Sequence, residues 1–237
     1  MIKSVRRADE HENLGMFGAC VFVYLSSLFT ICVILLCYII AVYNGHVPLF
    51  LPMISDCGVY APERYIFTIG LVLAAVFLFI NSMFLYFFLS TITLGGRRDS
   101  DRVALVFSFI SAAALSLLAA ANELDGPEVH DAAAFTFFGF HLAFMIVTTI
   151  RLFCDSNSCR YISEHSLIIK TVIIILATID TVICGVLIFK DSERTFIAIT
   201  EWIAVFFISL FTFSFIFEFK HNEYFGMLYL KKKCNCV

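Results

Sequence analysis

The 237-residue sequence predicts an all-α fold: a polytopic bundle of six membrane-spanning helices with both termini in the cytosol. Three observations predict it. Sixty-one per cent of the residues are hydrophobic, 28 are phenylalanine and only 15% are charged, a balance foreign to a water-soluble domain. Six mostly apolar stretches, at 16–43, 65–93, 103–121, 132–153, 167–189 and 196–219, meet the length of about 20 residues that a helix needs to cross a bilayer. Basic residues are partitioned between the two ends of these stretches, which orients the bundle.

The spans are read as helices because they are too long and too uniformly apolar for barrel strands, and a helix satisfies its own backbone in lipid. The first is not a cleavable leader, since no small-residue cleavage site follows it. Lys3, Arg6, Arg7, Arg97, Arg98, Arg102, Arg151, Arg160, Lys170, Lys220 and Lys231–Lys233 fall at the termini and at the second and fourth connections. Arg64, Lys190 and Arg194 are the only basic residues on the other side. This bias places both termini in the cytosol. The whole chain is expected to be one membrane domain, with 220–237 as a basic, cysteine-containing tail.

The first connection, 44–67, is expected to be ordered. It carries three of the four prolines (Pro48, Pro52, Pro62), a turn-forming Ser55-Asp56-Cys57-Gly58, and a helix-starting Pro62-Glu63. Its apolar residues fold it back on the helix ends. It serves either as a connector that caps a helix or as a surface that binds a lipid headgroup or a partner, with Ser55, Asp56, Gly58, Pro62 and Glu63 as its candidate residues.

Asn81-Ser82, near the middle of the second span, suits hydrogen bonding between helices. The third span is the shortest and is rich in alanine and serine, which lets backbones approach and suits the middle of the bundle. The third connection holds four acids and no base, and Asp131 is placed to cap the fourth helix. Alternatively, His130 and Asp131 lie beside Asp56 or Glu63 on the outer face, where an acidic compartment would protonate His130. Polar groups inside apolar spans favour a protein interior. His141, Asp180 and Glu201 are the candidates for a shared intramembrane pocket that binds a headgroup or cation, or relays protons.

No catalytic arrangement emerges: there is no G-x-S-x-G, H-E-x-x-H, phosphate loop or Cys-x-x-Cys pair. Cys154, Cys159 and His165 are too loosely spaced for zinc, and no metal or cofactor is expected. Broken helices in paired repeats, the mark of a transporter site, are absent. There is no Asn-x-Ser/Thr acceptor for N-glycosylation. In the tail, Tyr224 and Met227 fit an adaptor-sorting pattern, and Cys234 and Cys236 beside three lysines suit palmitoylation. The cytosolic basic residues suit anionic lipid, a membrane or trafficking protein is the expected partner, and nucleic acid is not.

Three segments resemble the damage-regulated autophagy modulator (DRAM) family and its Frag/Sfk-type relatives. They are Pro52-x-Ile54-Ser55-Asp56-x-Gly58 with Pro62-Glu63-x-x-Ile66-Phe67; Val129-His130-Asp131 followed by Phe137-Phe138-Gly139; and Glu201-Trp202 with Phe217-Glu218-Phe219-Lys220. The resemblance covers nearly the whole chain. It implies a non-enzymatic multipass protein of lysosomal or endosomal membranes, with plasma membrane or Golgi as alternatives, that modulates autophagy or membrane-lipid signalling. Relatives tied to phosphoinositide-kinase recruitment and to GPI-anchor remodelling imply two further readings: a lipid-remodelling enzyme, or a subunit of one, with His130, Asp131, Asp56 and Glu63 as acids and base. A channel or transporter built on His141, Asp180 and Glu201 is the third class of function.

Overall fold

The computed structural model describes residues 2–92, 98–121, 123–124, 126–156, 164–190 and 192–221. All regular structure among them is helical. Six long helices are α1 (Ile2–Tyr43), α2 (Glu63–Ile92), α3 (Arg98–Ala120), α4 (Pro127–Ser156), α5 (Glu164–Phe189) and α6 (Arg194–Ser214). A short α7 (Ile216–His221) continues α6 after a break at Phe215. Each long helix contains a stretch apolar enough to cross a membrane. The surface agrees: Ile69, Phe109, Phe153, Ile168 and Val182 all point outward, as lipid-facing side chains do.

Neighbours in sequence are neighbours in space from α1 to α4, and α6 packs on both α5 and α1. Helix α3 is wedged tightly between α2 and α4 but does not occupy the middle of the bundle; Val106 and Phe109 face outward from it. Its alanines serve this two-sided packing: Ala112, Ala114 and Ala119 are all buried. Helix α5 is the most peripheral, with only 17% of its apolar stretch buried. Its buried residues end at Asp180, so its last third stands away from the bundle.

Hydrogen bonds cross the middle of four helices in succession. Asn81 on α2 donates to the Ser26 hydroxyl on α1. The next residue, Ser82, accepts from Ser108 on α3 at 2.5 Å, and one turn further Ser111 meets His141 Nδ1 on α4 at 3.1 Å. The expected interhelical role of Asn81-Ser82 is what the structure has.

Two ion pairs close the end of the bundle opposite the 44–62 loop. Arg151 on α4 donates to Asp101 on α3 at 2.7 Å, with both side chains buried. Lys170 on α5 meets Glu218 on α7 at 2.9 Å, and Ser166 donates to the same carboxylate. Arg151 and Lys170 are therefore internal counter-ions of the bundle, not loop charges held against lipid. Of the basic residues that oriented the chain, these two carry no orienting weight.

Candidate functional site

The 44–62 loop is ordered because each of its segments is tied to a different helix. Helix α1 ends in a Schellman closure: Gly45, at φ 73, donates to the Val42 carbonyl at 3.0 Å, and His46 donates to Ala41 at 2.9 Å. Glycine suits this position because only a residue without Cβ adopts positive φ freely. The closure aims Asn44 and His46 at Glu63, the first residue of α2. Asn44 Nδ2 donates to Glu63 Oε2 at 3.3 Å, and His46 Nδ1 pairs with Oε1. Glu63 is wholly buried, so it is more than a helix-dipole partner: it staples the end of α1 to the start of α2.

The middle of the loop is held by α1 and α6. Tyr38 donates its hydroxyl to the Leu49 carbonyl at 2.6 Å. Trp202 Nε1 donates to the Pro52 carbonyl at 2.9 Å, and the Ile54 amide donates to Glu201 Oε2 at 2.8 Å. Leu51, between the first two anchors, takes φ 36, a strained backbone that the anchors hold in place. Leu49 and Phe50 are left exposed at the tip.

Ser55 to Gly58 forms the expected turn, with a 3-10 helix at Asp56–Gly58. Its backbone bonds run from Cys57 to Ile54, from Gly58 to Ser55 and from Val59 to Asp56. Gly58 lies so close to the Phe67 ring that a Cβ would strike it. Asp56 accepts from Arg194 Nη2 at 3.1 Å, and the same nitrogen donates to Glu123 at 2.7 Å. This guanidinium gathers the three connections of one face: the 44–62 loop, the α3–α4 turn and the start of α6. Burial, and then the nearby charge of Glu123, raise the Asp56 carboxyl above its ordinary value, and Arg194 opposes them. Burial, followed by the charge of Asp56, pushes the Cys57 thiol up to about 12. Cys57 is therefore a packed, unreactive thiol.

The acids and histidines singled out from sequence do not form one bonded site, although Ser55 and Glu201 line one cavity and His130 lines another with Ser55 and Gly58. His130 is buried and donates from Nδ1 to the Ala121 carbonyl at 2.8 Å, closing the end of α3. Asp131 is exposed and caps nothing, because α4 begins four residues earlier at Pro127, where the Gly126 carbonyl receives the Val129 and His130 amides. Proline at the first position and Glu128 behind it start that helix without Asp131. No hydrogen bond or ion pair joins His130 or Asp131 to Asp56 or Glu63. His141 bonds Ser111 and Asp180 bonds no described residue, so the expected pocket with Glu201 is not a bonded cluster. Tyr224, Met227, Cys234 and Cys236 lie outside the described residues. Among the described residues no three His, Cys, Asp or Glu side chains gather as a metal-holding group.

Beneath the loop lies a small, mainly apolar cavity of about 40 Å³. Ile54 and Ser55 roof it, Glu201 stands at its loop end, and Ser26, Leu78 and Ser209 line its far end. The side chains that matter most here are Glu201, Trp202, Arg194, Glu123 and His46. Of these only Glu201 was expected from sequence as a site residue; Trp202 was noted beside it, but nothing local showed that its indole would reach Pro52.

A family model described as the Frag1/DRAM/Sfk1/Cwh43P N-terminal domain matches residues 18–222. Human DNA damage-regulated autophagy modulator protein 1 is 24% identical over 201 residues, which cover 77% of this chain and 83% of that protein. No solved structure matches the chain.

Proposed function

The chain belongs to the Frag1/DRAM/Sfk1/Cwh43P family of multipass membrane proteins, and from that premise we propose that it regulates autophagy or membrane-lipid signalling by binding lipid or a protein partner, without chemistry of its own. Its loop face looks into the lumen of a lysosome or endosome, and both termini face the cytosol. The name of its human relative supports the first half of this reading.

One observation carries the binding half. The loop is anchored by Glu63, Glu201, Trp202 and Arg194 while its tip, Leu49 and Phe50, stays exposed. A surface held in shape before it meets its partner loses little freedom on binding, and that gain in affinity is the use of such anchoring. Of the carboxylates that acid–base chemistry would need, Asp56 and Glu63 are occupied as anchors. On the cytosolic side Arg102, exposed and loosely paired with Asp99 at 3.3 Å, remains available to anionic lipid.

The test is to express Phe50→Ser and Asp56→Asn, image each against a lysosomal marker, and measure autophagic flux and the cellular lipid profile. Flux should fall with the lipid profile unchanged. A lipid profile altered by either single substitution would favour the remodelling-enzyme reading and overturn this one.

A further inference from the structure

The tip of the 44–62 loop sits deeper than the ends of the helices it joins. Residues Val47 to Ile54 carry no charged side chain; Pro48, Leu49 and Phe50 are exposed, while Pro52 and Ile54 turn inward. The level of that exposed surface is set by what holds the backbone beneath it.

Both tip anchors belong to membrane-crossing stretches. Tyr38, which donates to the Leu49 carbonyl, is five residues before the end of α1, about 8 Å along the helix. Trp202, which donates to the Pro52 carbonyl, is eight residues after the start of α6, about 12 Å along it. Side chains lean toward the N-terminus of their own helix, so Tyr38 reaches away from the loop end of α1. The two rings meet edge to face with centroids 6.0 Å apart, which puts the anchors at one level. The chain thus leaves α1 at Tyr43 and returns more than a turn along it before entering α2.

At that level the neighbouring surface faces lipid. Ile39 and Tyr43 on α1 and Ile203 on α6, adjoining the two anchors, are exposed and apolar. Leu49 and Phe50 continue this surface. The backbone bonds fit the same place, because lipid offers no partner to a bare N–H or C=O. Leu49, Pro52 and Ile54 find theirs in Tyr38, Trp202 and Glu201, and Pro48 and Pro52 have no N–H to satisfy. Tyr43, Tyr60 and Tyr65, all exposed, mark this end of the bundle, as tyrosines do at a membrane–water boundary. The charges of the loop face stand elsewhere. Asp56 and Glu123 gather on Arg194, the first residue of α6; Arg64 lines a small cavity with Glu123 and His130; and His46 pairs with Glu63 where α1 meets α2.

We infer that Leu49 and Phe50 are seated in the bilayer itself, at the boundary between headgroups and acyl chains in the leaflet on the loop's side. The partner of this surface is lipid of the protein's own membrane, held by apolar burial and not by headgroup chemistry. The inference rests on the lipid-binding half of the reading above and names the lipid. Amphipathic segments bury an apolar face about 5–10 Å into this boundary, the depth at which the anchors hold the tip.

The experiment places a new indole at the tip. Full-length Phe50→Trp protein in phosphatidylcholine nanodiscs is compared with Leu124→Trp, which puts its indole in the exposed α3–α4 turn beside Glu123. The signal of Trp202, the one native tryptophan, is subtracted from the wild type. The indole at 50 should be quenched several-fold more than the one at 124 by phosphatidylcholine brominated high on its chains, and several-fold less by iodide in the buffer. Leu49→Trp, the adjacent exposed position, should give the same result and serves if Phe50→Trp does not fold. An indole at 49 or 50 that iodide reaches as readily as the one at 124, untouched by brominated lipid, overturns the inference and leaves the tip in water for a soluble protein. If that happens while Phe50→Ser still lowers flux, the seat in the bilayer falls and the regulator reading stands. If the tip is seated in lipid but flux ignores Phe50→Ser, the seat stands and the regulator reading falls.

Discussion

Lys170 and Glu218 meet at 2.9 Å with no part of either side chain exposed. The ammonium also donates to Ser166 at 2.9 Å and stands 4.9 Å from the centre of the Phe215 ring. This contact fastens α7 to the start of α5, and it is the most completely desolvated ion pair among the described residues.

A buried pair contributes little net stability over an apolar replacement, but removing one partner strands a charge and costs about 3–5 kcal/mol. Glu218→Gln and Lys170→Met should each lower the thermal midpoint in detergent sharply. Lys170→Met with Glu218→Met should recover most of the loss. Additive losses in the double variant would mean that the two groups do not act as a pair.

The hydrogen bonds across the bundle middle should matter far less individually. Interhelical side-chain bonds in membranes average about 0.6 kcal/mol and rarely exceed about 1.7. Ser108→Ala, which breaks the bond to Ser82, should therefore cost much less than Glu218→Gln in the same thermal assay. A larger loss than Glu218→Gln would give this polar row a role beyond gluing helices.

Asp56 predicts how the loop responds to acid. Its folded carboxyl is raised above 3.8, first by burial and then by Glu123, against the pull of Arg194. A raised acid binds its proton more tightly in the folded state, so its contribution is full below the unfolded value and is lost as pH rises through the higher folded one. The stability of the wild type relative to Asp56→Asn should thus increase as the pH drops from 7 toward 4. Arg194 is 65% exposed, so losing its bond to Asp56 subtracts little. A relative stability that falls on acidification contradicts this account.

Gly58 reports the fit of the turn on α2. A methyl there collides with the Phe67 ring, which is buried. Gly58→Ala should cost about 1–3 kcal/mol through overpacking, and Phe67→Leu in the same chain should return part of it. Maleimide labelling of Cys57, a buried thiol raised to about 12, should be slow in the wild type and faster in Gly58→Ala. Equal labelling rates would mean that the turn does not depend on this contact.

The helices were legible because their signal is local. A run of apolar residues long enough for the bilayer satisfies its own backbone whatever its neighbours are. The order at 44–62 was legible for the same reason, since prolines and a Ser-Asp-Cys-Gly turn constrain the chain by themselves. The partners of Glu63, Glu201 and Asp56 were not. His46 is 17 residues from Glu63, Ile54 is 147 from Glu201, and Arg194 is 138 from Asp56. Periodicity is silent about such pairs, because rotating a helix changes which charge it presents without altering its composition.

By itself, then, the sequence determined six apolar spans, a turn and a sided distribution of charge, all properties of short stretches in contact with solvent or lipid. Only the tertiary structure decided that Lys170 and Arg151 are internal partners, that Asp131 caps nothing, and that Glu201 both holds the loop and lines the small cavity beneath it. Those outcomes depend on which helix faces meet, and meeting faces are fixed by packing across the whole bundle.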